Sequence, residues 1–330
     1  MKYKISVIMP VYNAEDTIGE AIDSIVNQTF GFENIELILV DDNSTDNSCD
    51  IINEYSDKYD NIIPFFSDEN HGFPGFGRNV GINLASADYL MFIDNDDVYT
   101  PDFCRRVYDK AIEGDFDAVA CCYLEVFDTH ENRVCNGDGL YEGHRLLSIK
   151  ESIIWNKIYR KSIIKDNDIY FVEDMINEDS LFTLEFFLNS ESIFYISDFI
   201  GYEHIYRDSS LSLITYKSAV DFLNSYCSIY NLFKRYDLED INHHMKGRVE
   251  GTLKRAIAMD GTKKEIKDVL KRLDKFQRKI GFDENLDNKF LNRINRKLIN
   301  GDFKSSYHNV LLLNRLYKSG FVRKVANSIS

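Results

Sequence analysis

Three short apolar runs, each ending abruptly in acidic or amide side chains, constrain this chain more than any other feature. Lys4–Met9 (KISVIM) closes at Pro10 and leads into the polar stretch Asn13–Asp16. Glu36–Val40 ends in Asp41-Asp42-Asn43-Ser44, and Tyr89–Ile93 ends in Asp94-Asn95-Asp96-Asp97. Short β-branched runs bounded in this way read as buried strands. Between the first two, Ala14–Gln28 places Ile18, Ala21, Ile22 and Ile25 at helical spacing. Asp46 is positioned to N-cap a helix carrying Ile51, Ile52 and Tyr55. Ile62–Ser67 reads as another strand and Phe76–Ala85 as a helix. Pro101 suits the first turn of a helix reaching Ile112, and Asp117–Phe127 suits a further strand. Strands and helices alternating at this spacing predict an α/β fold, a Rossmann-like, mostly parallel, doubly wound sheet. Such sheets bind ligands beyond the carboxyl ends of their strands. All three polar clusters fall at those ends.

After about Leu211 the texture changes. Ser218–Tyr236, Met245–Met259, Lys263–Ile280 and Leu286–Ile299 are helical and amphipathic, with no strand-like runs between them. The expected division is an α/β catalytic domain over 1–210 and a helical domain over 211–330. The chain is acidic, with a formal net charge of -15, which excludes a nucleic-acid duplex as the expected partner because phosphate binding needs a basic surface. The end of the chain is the exception: Asn285–Ser330 holds nine Lys/Arg and two Asp/Glu. There Val310, Leu313, Tyr317 and Phe321 form one apolar stripe flanked by Arg315 and Lys318. Such a segment could lie on an anionic membrane. Six cysteines without CxxC spacing predict reduced thiols. Neither a signal-peptide apolar region nor a run of about 18 apolar residues is present, so the expected location is the cytoplasm, with peripheral contact at the inner membrane face.

The candidate chemistry sits in the strand-end clusters. Asp94-Asn95-Asp96 puts two carboxylates two residues apart just past a buried strand. That pattern suits Mg²⁺ or Mn²⁺, which take one or two carboxylates together with substrate phosphates and water. The metal would offset charge developing on a diphosphate leaving group. Asp42, at the end of the second run, can accept from a ribose or a base N–H. Arg78 follows the glycine-rich stretch His71–Gly77, where backbone can approach a ligand closely and a guanidinium can pair with phosphate. Glu178-Asp179 precedes a helix start, and a carboxylate there can serve as general base towards a hydroxyl. The first strand lacks the GxGxxG of a dinucleotide site. Two other readings stay open: a nucleotidyltransferase, although no basic triphosphate loop follows the first strand, and a sugar-nucleotide-binding scaffold with a degenerate site.

Four motifs in order, ISVIMPVYNAEDTIGEAIDSIVNQTF, LILVDDNSTDNS, GRNVGINLASADYLMFIDNDD and the later pair WNKIYR and NED, resemble family 2 glycosyltransferases of the GT-A fold, over about residues 1–210. The resemblance implies an inverting, metal-dependent transfer of a sugar from a nucleotide-sugar donor, with UDP the expected nucleotide. The acceptor would be a hydroxyl of a glycan, glycolipid or wall polymer. It implies that Pro10, Tyr12, Asn13 and Glu15 border the base and that Asp42 hydrogen-bonds it. Arg78 would lie near the diphosphate and Asn95 near the ribose or sugar. Asp96 would be the main metal ligand, Asp94 would contact sugar or metal, and Asp179 would be the catalytic base. Trp155 would shape the sugar or acceptor pocket. His204, with Arg207 near it, would face metal or diphosphate. The loop at His71–Gly77 departs from the family pattern by an extra glycine and Pro74.

Overall fold

The computed structural model describes residues 2–143, 153–207 and 215–318. The chain separates into two compact units, 1–208 and 209–330.

The first unit is built on one ten-stranded sheet. Strand β1 (Ile5–Val11) is buried throughout and pairs in parallel with β2 (Ile35–Asp41) on one side and β4 (Tyr89–Phe92) on the other. β3 (Ile62–Phe66) extends the parallel set beyond β2. Helices α1 (Ile18–Val26), α2 (Ser48–Lys58) and α3 (Pro74–Leu84) connect these strands. The short β5 (Val98–Tyr99) and α4 (Phe103–Gly114) lead to β6 (Ala118–Phe127), which forms a hairpin with β7 (His130–Val134). Then come β8 (Gly139–Glu142), β9 (Lys157–Arg160), α5 (Lys161–Asp166), α6 (Glu178–Leu188) and the 14-residue β10 (Ser192–Ile205). The main order is β3-β2-β1-β4-β9-β6-β10-β5. Parallel pairing covers the first four strands and the β6–β10 pair, whereas β9 runs antiparallel between β4 and β6.

Several expectations are corrected locally. Half of the glycine-rich stretch is helix: α3 begins at Pro74, whose missing N–H costs nothing in a first turn. Gly77 and Gly81 face β1, and a β-carbon on Gly81 would run into Ile8, so the glycines there serve close packing. Pro101 lies ahead of α4, which starts at Phe103. Asn47 takes the N-cap position of α2, although Asp46 still accepts from the Ser48 N–H at 3.0 Å. The six thiols are not all free, since Cys122 and Cys135 on the β6–β7 hairpin are joined as a disulfide.

The described part of the second unit is helical: α7 (Tyr216–Arg235), α8 (Ile241–Ala258), α9 (Lys263–Ile280), α10 (Lys289–Ile299) and α11 (Phe303–Lys318). Capping boxes at Thr215/Ser218 and Thr262/Glu265 start α7 and α9, and Gly281 ends α9 in the left-handed region. Val310 of α11 is fully buried, so this part of the C-terminal apolar stripe already has partners within its own unit. Phe321, the last member of that stripe, lies outside the described residues. Among the described residues, no helix is long and apolar enough to cross a membrane.

Candidate active site

The parallel register brings the polar strand ends together. Val11 lies opposite Asp41, and Ile8 lies opposite Phe92, so the turns after β1, β2 and β4 emerge side by side. The loops after β1 and β2 are laced to each other. The Asn13 side-chain oxygen accepts from the Thr45 N–H at 2.8 Å, and its own N–H donates to the Ser44 hydroxyl at 2.9 Å. Asn13 needs a positive φ of 47° for this, a conformation amide side chains tolerate. Glu15 accepts from the Asn47 N–H at 3.0 Å, while its own N–H donates to Asp46 at 3.0 Å. Asn13 and Glu15 therefore shape the loop pair. Tyr12, 48% exposed, is the member of this group that presents an aromatic face outward.

Asp42 is buried and accepts from the His71 N–H at 2.9 Å, the His71 ring at 2.7 Å and the Gly72 N–H at 3.2 Å. His71 in turn stacks on Phe76, with ring centroids 3.5 Å apart. Asp42 thus fixes the loop before α3 to the end of β2. Asn95 donates to the Pro10 carbonyl at 3.0 Å, tying the turn after β4 to β1.

Arg78 is where the structure adds most to the expectation. The first turns of α3 carry it into the interior, where it is only 5% exposed. One guanidinium nitrogen pairs with Asp94 at 2.8 Å, and another pairs with Glu178. The guanidinium therefore clamps the Asp94 turn to the Glu178-Asp179 helix start, two segments far apart in sequence. Sequence reasoning had not given Glu178 a role of its own. Asp179 is half-buried, and its carboxylate accepts from the Ser180 N–H at 2.7 Å. Burial, then repulsion from Glu178, pushes its pKa up to about 7, against the opposing pull of Arg78.

On the other side of the acidic turn stands a second cluster. Asp97, unassigned from sequence, is fully buried. It accepts from the Tyr202 hydroxyl at 2.7 Å, the Ile205 N–H at 2.8 Å and His204 Nδ1 at 3.0 Å. That last contact orients the His204 ring through Nδ1. Burial works against charge on His204, but the hydrogen bond to Asp97 and the nearby Asp94 and Asp96 outweigh it, and its pKa is raised. Trp155 is 6% exposed, stacks on Tyr202 with centroids 4.1 Å apart and lies parallel to His204 at 5.5 Å. It supports the site from behind. Asp96 remains partly exposed, with Arg207 donating to its carbonyl and lying 3.5 Å from its carboxylate. Burial, Asp97 and Asp94 push the Asp96 pKa up to about 6.

A mixed α/β sheet whose parallel strands end on paired carboxylates, with a second carboxylate pair docked through one arginine, has the GT-A architecture. Residues 6–166 match the family model described as glycosyl transferase family 2. Over that span the chain is similar to family 2 glycosyltransferases. A 114-residue segment, 34% of the chain, is 45% identical to a poly(ribitol-phosphate) beta-glucosyltransferase of Bacillus spizizenii and covers 18% of that protein. Over 189 residues, 52% of the chain, it is 32% identical to the poly(ribitol-phosphate) beta-N-acetylglucosaminyltransferase TarS of Staphylococcus aureus, covering 30% of it. The chain thus matches less than a third of either relative's length. In structure it resembles residues 1–349 of S. aureus TarS, solved with UDP-GlcNAc, with a TM-score of 0.75 and 24% identity over 96% of this chain and 92% of that one. This likeness extends the shared fold to both units.

Proposed function

We propose that the protein is an inverting glycosyltransferase, moving a sugar from a UDP-sugar to a hydroxyl of a polyol-phosphate wall polymer. The observation that carries this reading is the Arg78 clamp, which puts the Asp94–Asp96 turn and Asp179 in one electrostatic unit. The match to the family model and the names of the wall-polymer relatives support the reaction and acceptor class. The nucleotide would lie over the joined loops after β1 and β2, with Tyr12 against the base and the Asp42–His71 pair beside it.

A divalent cation fits the residues at the acidic turn. Asp94 and Asp96 are hard oxygen donors, and burial, followed by the neighbouring Asp97 and Asp94, raises the Asp96 pKa against the pull of Arg207. Among the described residues no three His, Cys, Asp or Glu side chains form a ready-made metal cage. Two carboxylates with a diphosphate suit Mg²⁺ or Mn²⁺, and His204, held by Asp97, would be a further donor. When bound, the ion supplies Lewis-acid stabilisation of the departing diphosphate.

The protein's own groups carry the rest of the chemistry. Asp179 takes the proton from the acceptor hydroxyl as the oxygen attacks the anomeric carbon. The carbon–phosphate-oxygen bond breaks on the opposite face, and the nucleoside diphosphate leaves with the electron pair, inverting the centre. A carboxylate with a pKa near 7 is a stronger base than an ordinary aspartate, and about half of it is ionised at neutral pH. Asp94, oriented by Arg78, is positioned to hold the sugar, and Asn95 holds the turn to β1.

The test is a thermal-shift panel of nucleoside diphosphates and nucleotide sugars with and without Mn²⁺, followed by product analysis. A metal-dependent rise with UDP, and free UDP as product, is expected. Pyrophosphate as product would mark a nucleotidyltransferase instead, a shift without any product would mark a degenerate scaffold, and no shift with any nucleotide would overturn the nucleotide-sugar reading.

A further inference from the structure

The two units carry opposite charge. Residues 1–208 hold 15 Lys/Arg and 41 Asp/Glu, whereas residues 209–330 hold 24 and 13. The acidic total of the chain therefore conceals a helical unit of net charge +11. Much of the excess is concentrated on α9. Its apolar side chains Ile266, Val269, Leu270, Leu273, Phe276 and Ile280 are all buried. Its opposite face carries Lys267, Lys271, Lys275 and Lys279, all exposed, at four-residue intervals. In a helix this makes one continuous row with cations about 6 Å apart along the axis.

Like charges four residues apart repel across a helix face, so such a row is not a device for stabilising α9. The acids that could relieve it are engaged elsewhere: Asp268 pairs with Arg272 at 2.6 Å and Asp274 with Arg278 at 3.0 Å. Among the described residues, none of the four lysines has a carboxylate within ion-pair distance.

We propose that this lysine row is a docking surface for a linear phosphodiester polyanion, and specifically for the polyol-phosphate acceptor chain. The proposal rests on the wall-polymer reading of the active site and adds where the polymer is held. A regular row of point charges matches a chain that repeats one phosphate per unit. An anionic membrane is the alternative occupant, but membrane adsorption by a helix uses an apolar face beside the cations. On α9 that face is in the core. The large apolar side chains exposed in the described helical unit are Phe290 and Leu312, on α10 and α11.

The experiment is fluorescence-anisotropy titration of the full chain with a labelled short poly(ribitol phosphate), across salt concentrations. It is run beside UDP binding and co-sedimentation with vesicles of phosphatidylglycerol and phosphatidylcholine. The variant is Lys267→Gln/Lys271→Gln/Lys275→Gln, all at exposed positions, with thermal melting to confirm folding. Polymer affinity should fall steeply with salt. The variant should reduce the slope of log K against log salt by about 2, at about 0.7 for each phosphate that a lysine no longer neutralises. UDP affinity should be unchanged. Equal polymer binding and slope in the variant, or no polymer binding by the native chain, overturns the proposal. So does a variant that stops binding vesicles but still binds polymer. Failure to bind UDP would instead strike the glycosyltransferase reading, leaving polymer docking to be judged by its own titration.

Discussion

Replacing Arg78 with methionine isolates the clamp at the centre of the site. The side chain is 5% exposed and balances two carboxylates, one of them the equally buried Glu178. Methionine keeps most of the volume and removes the charge, leaving Glu178 buried without its counter-ion. Removing one partner of a buried pair costs about 3–5 kcal/mol. For a unit of this size each kcal/mol shifts Tm by about 2–4 °C, so the melting point should drop by roughly 6–20 °C. A second change, Glu178→Gln, removes the stranded charge, and the double variant should recover about half of the loss or more. Asp179 provides an independent readout: Arg78 lowers its pKa against burial, so in Arg78→Met the acid limb of the pH–rate profile should move up. Differential scanning calorimetry gives the first quantity and initial-rate kinetics the second. A Tm within about 2 °C of the native protein, less than the smallest shift expected, with an unmoved acid limb, would refute the clamp.

In the native protein, activity should rise about tenfold per pH unit on the acid side and level off above about 7, because Asp179 must be ionised to accept a proton. The same shift has a stability consequence: the native carboxyl holds its proton at higher pH than the unfolded chain does. Its contribution is therefore most favourable below the ordinary aspartate pKa and is lost as pH rises towards 7, which urea midpoints at about pH 5 and 7 will show. Asp179→Asn should cut turnover by about a hundredfold or more with UDP-sugar binding retained; normal transfer by this variant would end its assignment as base. Asp96→Ala should weaken the Mn²⁺-dependent part of donor binding by calorimetry while leaving the metal-free part, and an undiminished metal effect would remove Asp96 from the ligand set.

The first half of the sheet was readable because β1, β2 and β4 are short apolar runs stopped by polar residues. Backbone pairing then did the rest, since register alone brings Asp41, Pro10 and Asp94 together. The second half was not readable in the same way. β10 mixes polar and apolar residues, shifts register twice between Ile196 and Tyr202, and pairs with β5, β6 and β8. Its pattern reflects three different neighbours, so no single periodicity describes it. Asp97 and Glu178 were missed as functional positions for a related reason. Each differs from the acid beside it only by what it meets: Tyr202 and His204 for Asp97, and Arg78 for Glu178. Partners so distant in sequence leave no local signal. Arg78 was visible as a candidate within the expected helix 76–85, but neither the helix's earlier start at Pro74 nor the burial of Arg78 between two carboxylates left a local signal.

The chain contains a single tryptophan, and the fold puts it against Tyr202 and His204, behind the acidic turn. Indole emission, excited selectively over the tyrosines, therefore comes from one known position, with no tryptophan background from the helical unit. A protonated imidazole is an effective quencher of indole, so the titration of His204 is written directly into that signal. Ligands that reorganise the turn after β4 should change the same signal, and those that bind only to the helical unit should leave it unchanged. The protein carries its own optical gauge of the donor site, usable without label or substitution.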